Sequence, residues 1–278
     1  MDKYRKEKAK EKEEKSSDVY ALRIVGDFIQ ERLDGDINKL RDFDLATLTE
    51  DEKYGKENWP KNELAKSIMA LVFGNIWPNL TVDSINHYEY SSSQMVSFQN
   101  LFGSNILDKY FKGMEKFNPS KKQLERALHV AHLLNSIGNL WVLPNKLNDK
   151  ETMASYKDNP KFRGYMDRYL QAMYAVFMDE KKPDMHLKGI LYKNRKVMTE
   201  YQGAKGWGHF INNLMLQDYV DADGKPKDIF DYVWSYMKEL DRDSYFQAVD
   251  KFCTFCEEVI SKRADQMIGV LKTIMNNK

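Results

Sequence analysis

The chain has 278 residues, of which 42% are hydrophobic and 13% aromatic. That is enough apolar surface for a sizeable core and too much for a wholly disordered chain, which could not offset its ordering entropy. Fourteen glycines, seven prolines and two cysteines exclude collagen-like, proline-rich and disulfide-framework classes, and a net charge of +1 supplies no global field toward nucleic acid or acidic lipid.

Residues 1–16 alternate Lys and Glu and read as a flexible, solvated arm. This segment lacks the apolar centre of a signal peptide and carries the acids that a transit peptide avoids. No apolar run approaches the roughly 20 residues that span a bilayer, and the two cysteines favour a reducing compartment. These features point to a cytoplasmic protein with no membrane partner.

From Ser17 onward the spacing predicts helices. Tyr20, Ile24 and Phe28, with Leu22, Val25 and Ile29, form one stripe that Gly35 closes. Residues 36–58 read as polar and irregular. Asn58-Trp59-Pro60 opens a second helix with Leu64, Ile68, Leu71 and Val72 inward, because proline suits a first helical turn. Met95, Phe98, Leu101 and Phe102 suggest a third, and Leu107, Tyr110, Phe111 and Met114 a fourth. Ser120-Lys-Lys-Gln123 is a capping box for a helix carrying Leu124, Leu128, Ala131 and Leu134. Asn139–Asn148, with Pro144 inside it, reads as a short edge strand or an extended loop.

Asn159-Pro160 starts a helix with Phe162, Met166, Tyr169, Leu170, Met173 and Phe177. Residues 179–208 read as glycine-rich loop, with Ile190–Tyr192 as a second short strand. Residues 209–220 resume helical spacing, Asp221–Pro226 is a turn, and Ile229, Val233, Tyr236, Met237 and Leu240 give another helix. Ser244 caps a long last helix through Val249, Phe252, Cys256, Ile260, Met267 and Leu271. The expected architecture is mainly α: one irregular multi-helix domain over 17–278, with at most one or two short strands.

Several side-chain sets could carry chemistry. Cys253 and Cys256 stand at i, i+3 on one predicted helix, as do His129 and His132 on another, so the four are a candidate zinc set. Against this, both cysteines lie on an apolar stripe, where Cys behaves as a small hydrophobe. Lys193, Arg195, Lys196 and Lys205 lie among Tyr192, Tyr201 and Trp207, a mixture suited to phosphates and unstacked bases. Arg163, Asp167 and Arg168 share a predicted helix and would line a pocket if one lies beside them. Asp221-Ala-Asp223-Gly224 fails as a calcium loop, because the required register puts Tyr219 and Phe230 at ligand positions.

The run Ser136-Ile-Gly-Asn-Leu-Trp-Val-Leu-Pro-Asn-Lys-Leu-Asn148, followed by Phe162-Arg-Gly-Tyr-Met-Asp-Arg-Tyr-Leu170, carries a resemblance. It resembles a bacterial family of uncharacterised proteins that pair an IG…LP segment with a later RG…DR helix. With the Trp207–Val220 stretch the likeness covers about a third of the chain. That family implies no established activity. The same run, with Tyr156-Lys157, is similar to the second half of the HNH nuclease domain in modification-dependent restriction enzymes of the GmrSD kind. That resemblance implies a histidine base that activates water and a divalent metal that stabilises the leaving oxygen. It assigns Asn139, Asn148 and Lys157 to the site and leaves His132 as the nearest candidate base. The Asp-His-Ile-x-Pro half of the motif does not precede the run. The alternative is that Asn139 and Asn148 cap turns through bonds to the backbone.

Three functional expectations follow: a non-catalytic helical protein, associated with bacterial defence, that binds a protein or nucleic-acid partner; a metal-dependent HNH-like nuclease; and a structural zinc protein.

Overall fold

The first helix follows directly from its sequence. In the computed structural model, which describes residues 18–48, 51–54, 63–74, 88–90, 111–142, 166–178, 203–227 and 241–277, α1 spans Asp18–Arg32. Tyr20, Ala21, Ile24, Val25, Phe28 and Ile29 are buried on one face, at helical spacing. Its acid in the first turn and base in the last complement the helix dipole. Asp34 and Gly35 then turn left-handed, and the Gly35 N–H closes onto the Ile29 carbonyl at 2.9 Å.

The segment after Gly35 corrects the expectation of a polar, irregular stretch. It forms two 3-10 turns, Ile37–Asp42 and Leu45–Leu48, and lays Leu40, Leu45, Leu48 and Tyr54 into the core. Ile37 with Leu40, and Leu45 with Leu48, repeat every three residues, the spacing that a 3-10 turn eclipses and that neither a helix nor a strand pattern detects. The Phe28 ring meets the edges of Phe43 and Tyr54, with centroids 5.1 and 5.0 Å away. Tyr54 Oη donates to Glu31 at 2.7 Å.

α2, Glu63–Phe73, is buried on every side, including Glu63, Lys66 and Ser67. Tyr20 Oη donates to the Glu63 carboxylate at 2.7 Å, pairing α1 with this central helix. The expected opening at Pro60 lies outside the described residues. A short α3, Lys112–Glu115, sends Met114 into the core, joined by the preceding Phe111.

α4, Lys121–Leu134, carries the expected capping box: Ser120 Oγ accepts from the Gln123 N–H, and the Ser120 N–H donates to Gln123 Oε1 at 2.8 Å. Its buried face is Ala127, Val130, Ala131, Leu133 and Leu134. Leu128, assigned inward by periodicity, is instead 36% exposed. The stripe is rotated by about one residue, because the small Ala127 and Ala131 let α4 approach its neighbours on their side. A 3-10 turn, Ile137–Asn139, leads into β2, Leu140–Val142, which pairs antiparallel with β1, Tyr88–Tyr90. Tyr88 faces Val142, and Tyr90 faces Leu140. A short extended piece within Asn139–Asn148 was expected; its partner strand at 88–90 was not.

α5, Met166–Phe177, and α6, Gly203–Asn213, pack through aromatic rings. Residues 203–208 were expected as loop and are helical. Each glycine costs about 1 kcal/mol in a helix interior, but Trp207 and Phe210 bury large rings against Phe177, 5.7 and 5.5 Å away, and tertiary packing overrides propensity. The Asp221–Pro226 turn forms as expected, with Asp221 Oδ1 accepting from the N–H groups of Asp223 and Lys225. Trp207 Nε1 donates to the Gly224 carbonyl at 2.7 Å and ties that turn to α6.

The last helix, α7, runs Arg242–Asn276, 35 residues or about 52 Å. Its cap is Asp241, three residues before the expected Ser244; the Asp241 carboxylate accepts from both the N–H and the hydroxyl of Ser244. The caps Asp36 and Asp241 both have carboxyls held below the usual range, chiefly by backbone N–H donors. Their contribution is present above the ordinary carboxyl pKa and is lost as pH falls through the lowered value.

The fold is mainly α, as the periodicity predicted, and among the described residues no helix is long and apolar enough to cross a membrane. The arm over 1–16, the helices expected around Met95–Tyr110 and Ile229–Leu240, and the strand at Ile190–Tyr192 lie outside the described residues. Replacing Ser120→Ala removes the hydroxyl acceptor of the α4 capping box and leaves the backbone N–H that donates to Gln123 Oε1. The midpoint of urea unfolding should fall by the equivalent of about 1 kcal/mol; an unchanged midpoint would show that this cap contributes nothing.

Candidate functional site

Two of the polar residues that sequence reasoning singled out, His132 and Asn139, lie where α4 ends. His132 lies in the last turn of α4, and its Nδ1 is 2.8 Å from Asp44 Oδ2. Asp44 is 6% exposed, and its other oxygen accepts from the Ala46 N–H at 3.0 Å. The His132 side chain remains 35% exposed. A buried carboxylate on one ring nitrogen orients an imidazole and leaves the other nitrogen facing away, which is the arrangement of an oriented base. One residue on, the Leu45 N–H donates to the Asn135 carbonyl at 3.1 Å. The 3-10 segment is thus fastened to the end of α4 by a side-chain pair and a backbone bond.

Asn139 is fully buried, and its Nδ2 donates to the Leu134 carbonyl at 2.8 Å. Asn135 is 1% exposed, and its amide reaches the Ala131 carbonyl at 3.4 Å. Ala131 and Leu134 are among the last four residues of α4, whose carbonyls have no intrahelical donor. Asn139 therefore works as a cap, the alternative that its residue type had left open. His132 and Asn139 are not presented to one common opening, since one ring meets solvent and the other side chain does not.

Beneath this junction lies Arg263 of α7, 2% exposed. Its Nε donates to the Leu214 carbonyl at 3.1 Å, and its Nη1 donates to the carbonyls of Gly138 at 2.8 Å and Leu140 at 2.5 Å. The guanidinium carbon lies 5.9 Å from the Phe73 ring centre, a cation–π distance. Burial pushes the Arg263 pKa down to about 10, with a smaller opposing effect from Tyr219. The charge is held by carbonyl dipoles from three elements. Gly138 is required here: a Cβ on it would sit 2.1 Å from the Ile260 carbonyl oxygen. α7 also binds α4 on the surface side, where Arg126 meets Glu257 at 2.7 Å, Thr254 Oγ1 at 2.8 Å and the Asp250 carboxylate.

The four-ligand zinc set does not assemble. His129 is exposed, His132 is engaged with Asp44, and Cys253 and Cys256 are buried in the core. Among the described residues no group of three or more His, Cys, Asp or Glu is placed to hold a metal. Spacing at i, i+3 sets two side chains on one face but not toward a second pair. Burial pushes the Cys253 thiol up to about 12 and Cys256 well above its ordinary value, so both stay protonated and are poor ligands.

Asp167 and Arg168 lie within α5, and Lys205 lies within α6 rather than in a loop. Asn148, Lys157, Arg163, Lys193, Arg195 and Lys196 lie outside the described residues.

Sequence reasoning missed Asp44, Arg126 and Arg263. For Arg263 a signal was present: Cys256, Ile260, Arg263, Met267 and Leu271 continue one helical stripe, so a cation stands at a core position. Asp44 and Arg126 had no such signal, because their partners are 88 and 131 residues away.

Arg263→Met should destabilise the fold by about 3 kcal/mol or more, because it orphans three carbonyls. Arg263→Lys should recover less than half of that loss, since an ammonium lacks the planar fork. Denaturant titration with Gly138→Ala as a comparison checks both, and a near-neutral Arg263→Met would remove the hub assignment. A thiol reagent at pH 8 should leave both cysteines unmodified in the native protein and titrate two per chain on unfolding; fast native labelling would contradict their burial.

No family model, curated protein or solved structure matches the chain.

Proposed function

We propose that this chain is a helical protein that acts by binding a macromolecular partner, with the defence association suggested by its likeness to restriction-enzyme sequences. The observation that carries the reading is the bond from Asn139 Nδ2 to the Leu134 carbonyl. The position that a nuclease would need for its metal or substrate serves instead to finish a helix, and it is sealed from solvent. Arg126 and Arg263 are likewise engaged in holding helices together.

The Asp44–His132 pair favours a second reading. An imidazole oriented by a buried carboxylate, with its ring partly exposed, suits general-base activation of water beside a divalent metal. That would be the nuclease to which the GNL…LN run is similar.

One experiment separates the two. The purified full chain is incubated with plasmid DNA and with RNA in Mg²⁺ or Mn²⁺, and tagged chain is recovered from its native cells. The binding reading expects no cleavage and a partner that re-forms a complex of fixed stoichiometry from purified components. Cleavage that both His132→Ala and Asp44→Asn reduce at least 100-fold would overturn it in favour of the nuclease.

A further inference from the structure

The turn Asn135–Asn139 contains three polar side-chain atoms with no hydrogen-bond partner among the described residues: Asn135 Oδ1, Ser136 Oγ and Asn139 Oδ1. All three residues are 0–1% exposed. Buried polar atoms in folded proteins are almost always satisfied, by protein or by ordered water. Rotating the two amides cannot cure the deficit. Each Nδ2 already donates to a carbonyl, of Ala131 or Leu134, and a flip would set oxygen against oxygen. The two Oδ1 atoms are therefore fixed as acceptors, whereas the Ser136 hydroxyl both donates and accepts.

We propose that this turn binds internal water, which satisfies the buried Ser136 hydroxyl and the Asn135 and Asn139 carbonyl oxygens. Water matches the set: it donates to the amide oxygens and accepts from the hydroxyl. A monovalent cation would also suit carbonyl and hydroxyl oxygens. It is disfavoured here because the Arg263 guanidinium already binds the Gly138 and Leu140 carbonyls of the same stretch and places a positive charge against it. The Gly138 and Leu140 carbonyls are occupied by that guanidinium, and those of Asn135 and Ser136 by the N–H groups of Leu45 and Asn139. The site would hydrate the α4–β2 junction from within, beside the Asp44–His132 pair.

The test uses the full chain. A crystal structure at a resolution that shows ordered solvent should place a water within about 3.2 Å of Ser136 Oγ. In solution, Ser136→Ala should lower the midpoint of urea unfolding, because it strips the water of a partner. If the hydroxyl were instead a dry orphan, removing it would raise the midpoint. A turn with no density beside Ser136 Oγ, or a raised midpoint for Ser136→Ala, overturns the proposal; density refining as a monovalent cation, confirmed by anomalous scattering after soaking in a rubidium salt, also overturns it.

Discussion

A charge held inside the protein by backbone carbonyls organises the described structure. Arg263 projects from α7 and binds carbonyls from the turn after α4, from β2 and from the end of α6, with its guanidinium near the Phe73 ring of α2. Desolvating that charge is costly, and only a full set of acceptors offsets the penalty. The carbonyls must therefore be delivered to within hydrogen-bond distance of one side chain. This requirement explains why Gly138 has no side chain to spare: the chain passes so close to Ile260 that a single carbon would not fit.

The same logic applies to the rest of α7. A 35-residue helix cannot be stable through propensity alone, and most of its stability comes from burying one face. Tyr245, Val249, Phe252, Cys256, Ile260, Met267 and Leu271 supply that face. On its flank, Arg126 clamps α4 to Glu257 and Asp250. Being half-exposed, this clamp adds less than its geometry suggests, since water screens it; its role is to set the register between α4 and α7.

The polar side chains at the end of α4 have a shared origin. A helix that stops in the interior leaves carbonyls without donors, and the chain answers with Asn135 and Asn139. Residues that look chemical in a linear motif thus serve a backbone requirement. His132 differs, because its partner Asp44 comes from a segment that runs across the α4 terminus and its ring still meets solvent. It is the described residue on which the binding and nuclease readings turn.

Local features were readable from the residues themselves. The faces of α1 and α7, the Ser120–Gln123 capping box, the Asp221 turn and the extended piece after Gly138 depend on spacing and on near-neighbour hydrogen bonds, and these act within a few residues. The failures are equally physical. The 3-10 period of residues 37–48 escapes a search for 3.6 or 2, the glycines of α6 are overruled by Trp207 and Phe210, and Leu128 faces outward because small alanines choose the packing face. Asp44–His132, Arg126–Glu257 and the Arg263 hub join residues from 49 to 131 positions apart. Periodicity carries no information about which distant groups meet. The amino-acid order by itself determined a mainly helical chain and most of its described helix faces; only the tertiary structure decided which polar groups are architectural, because burial and partnership are properties of the assembled core.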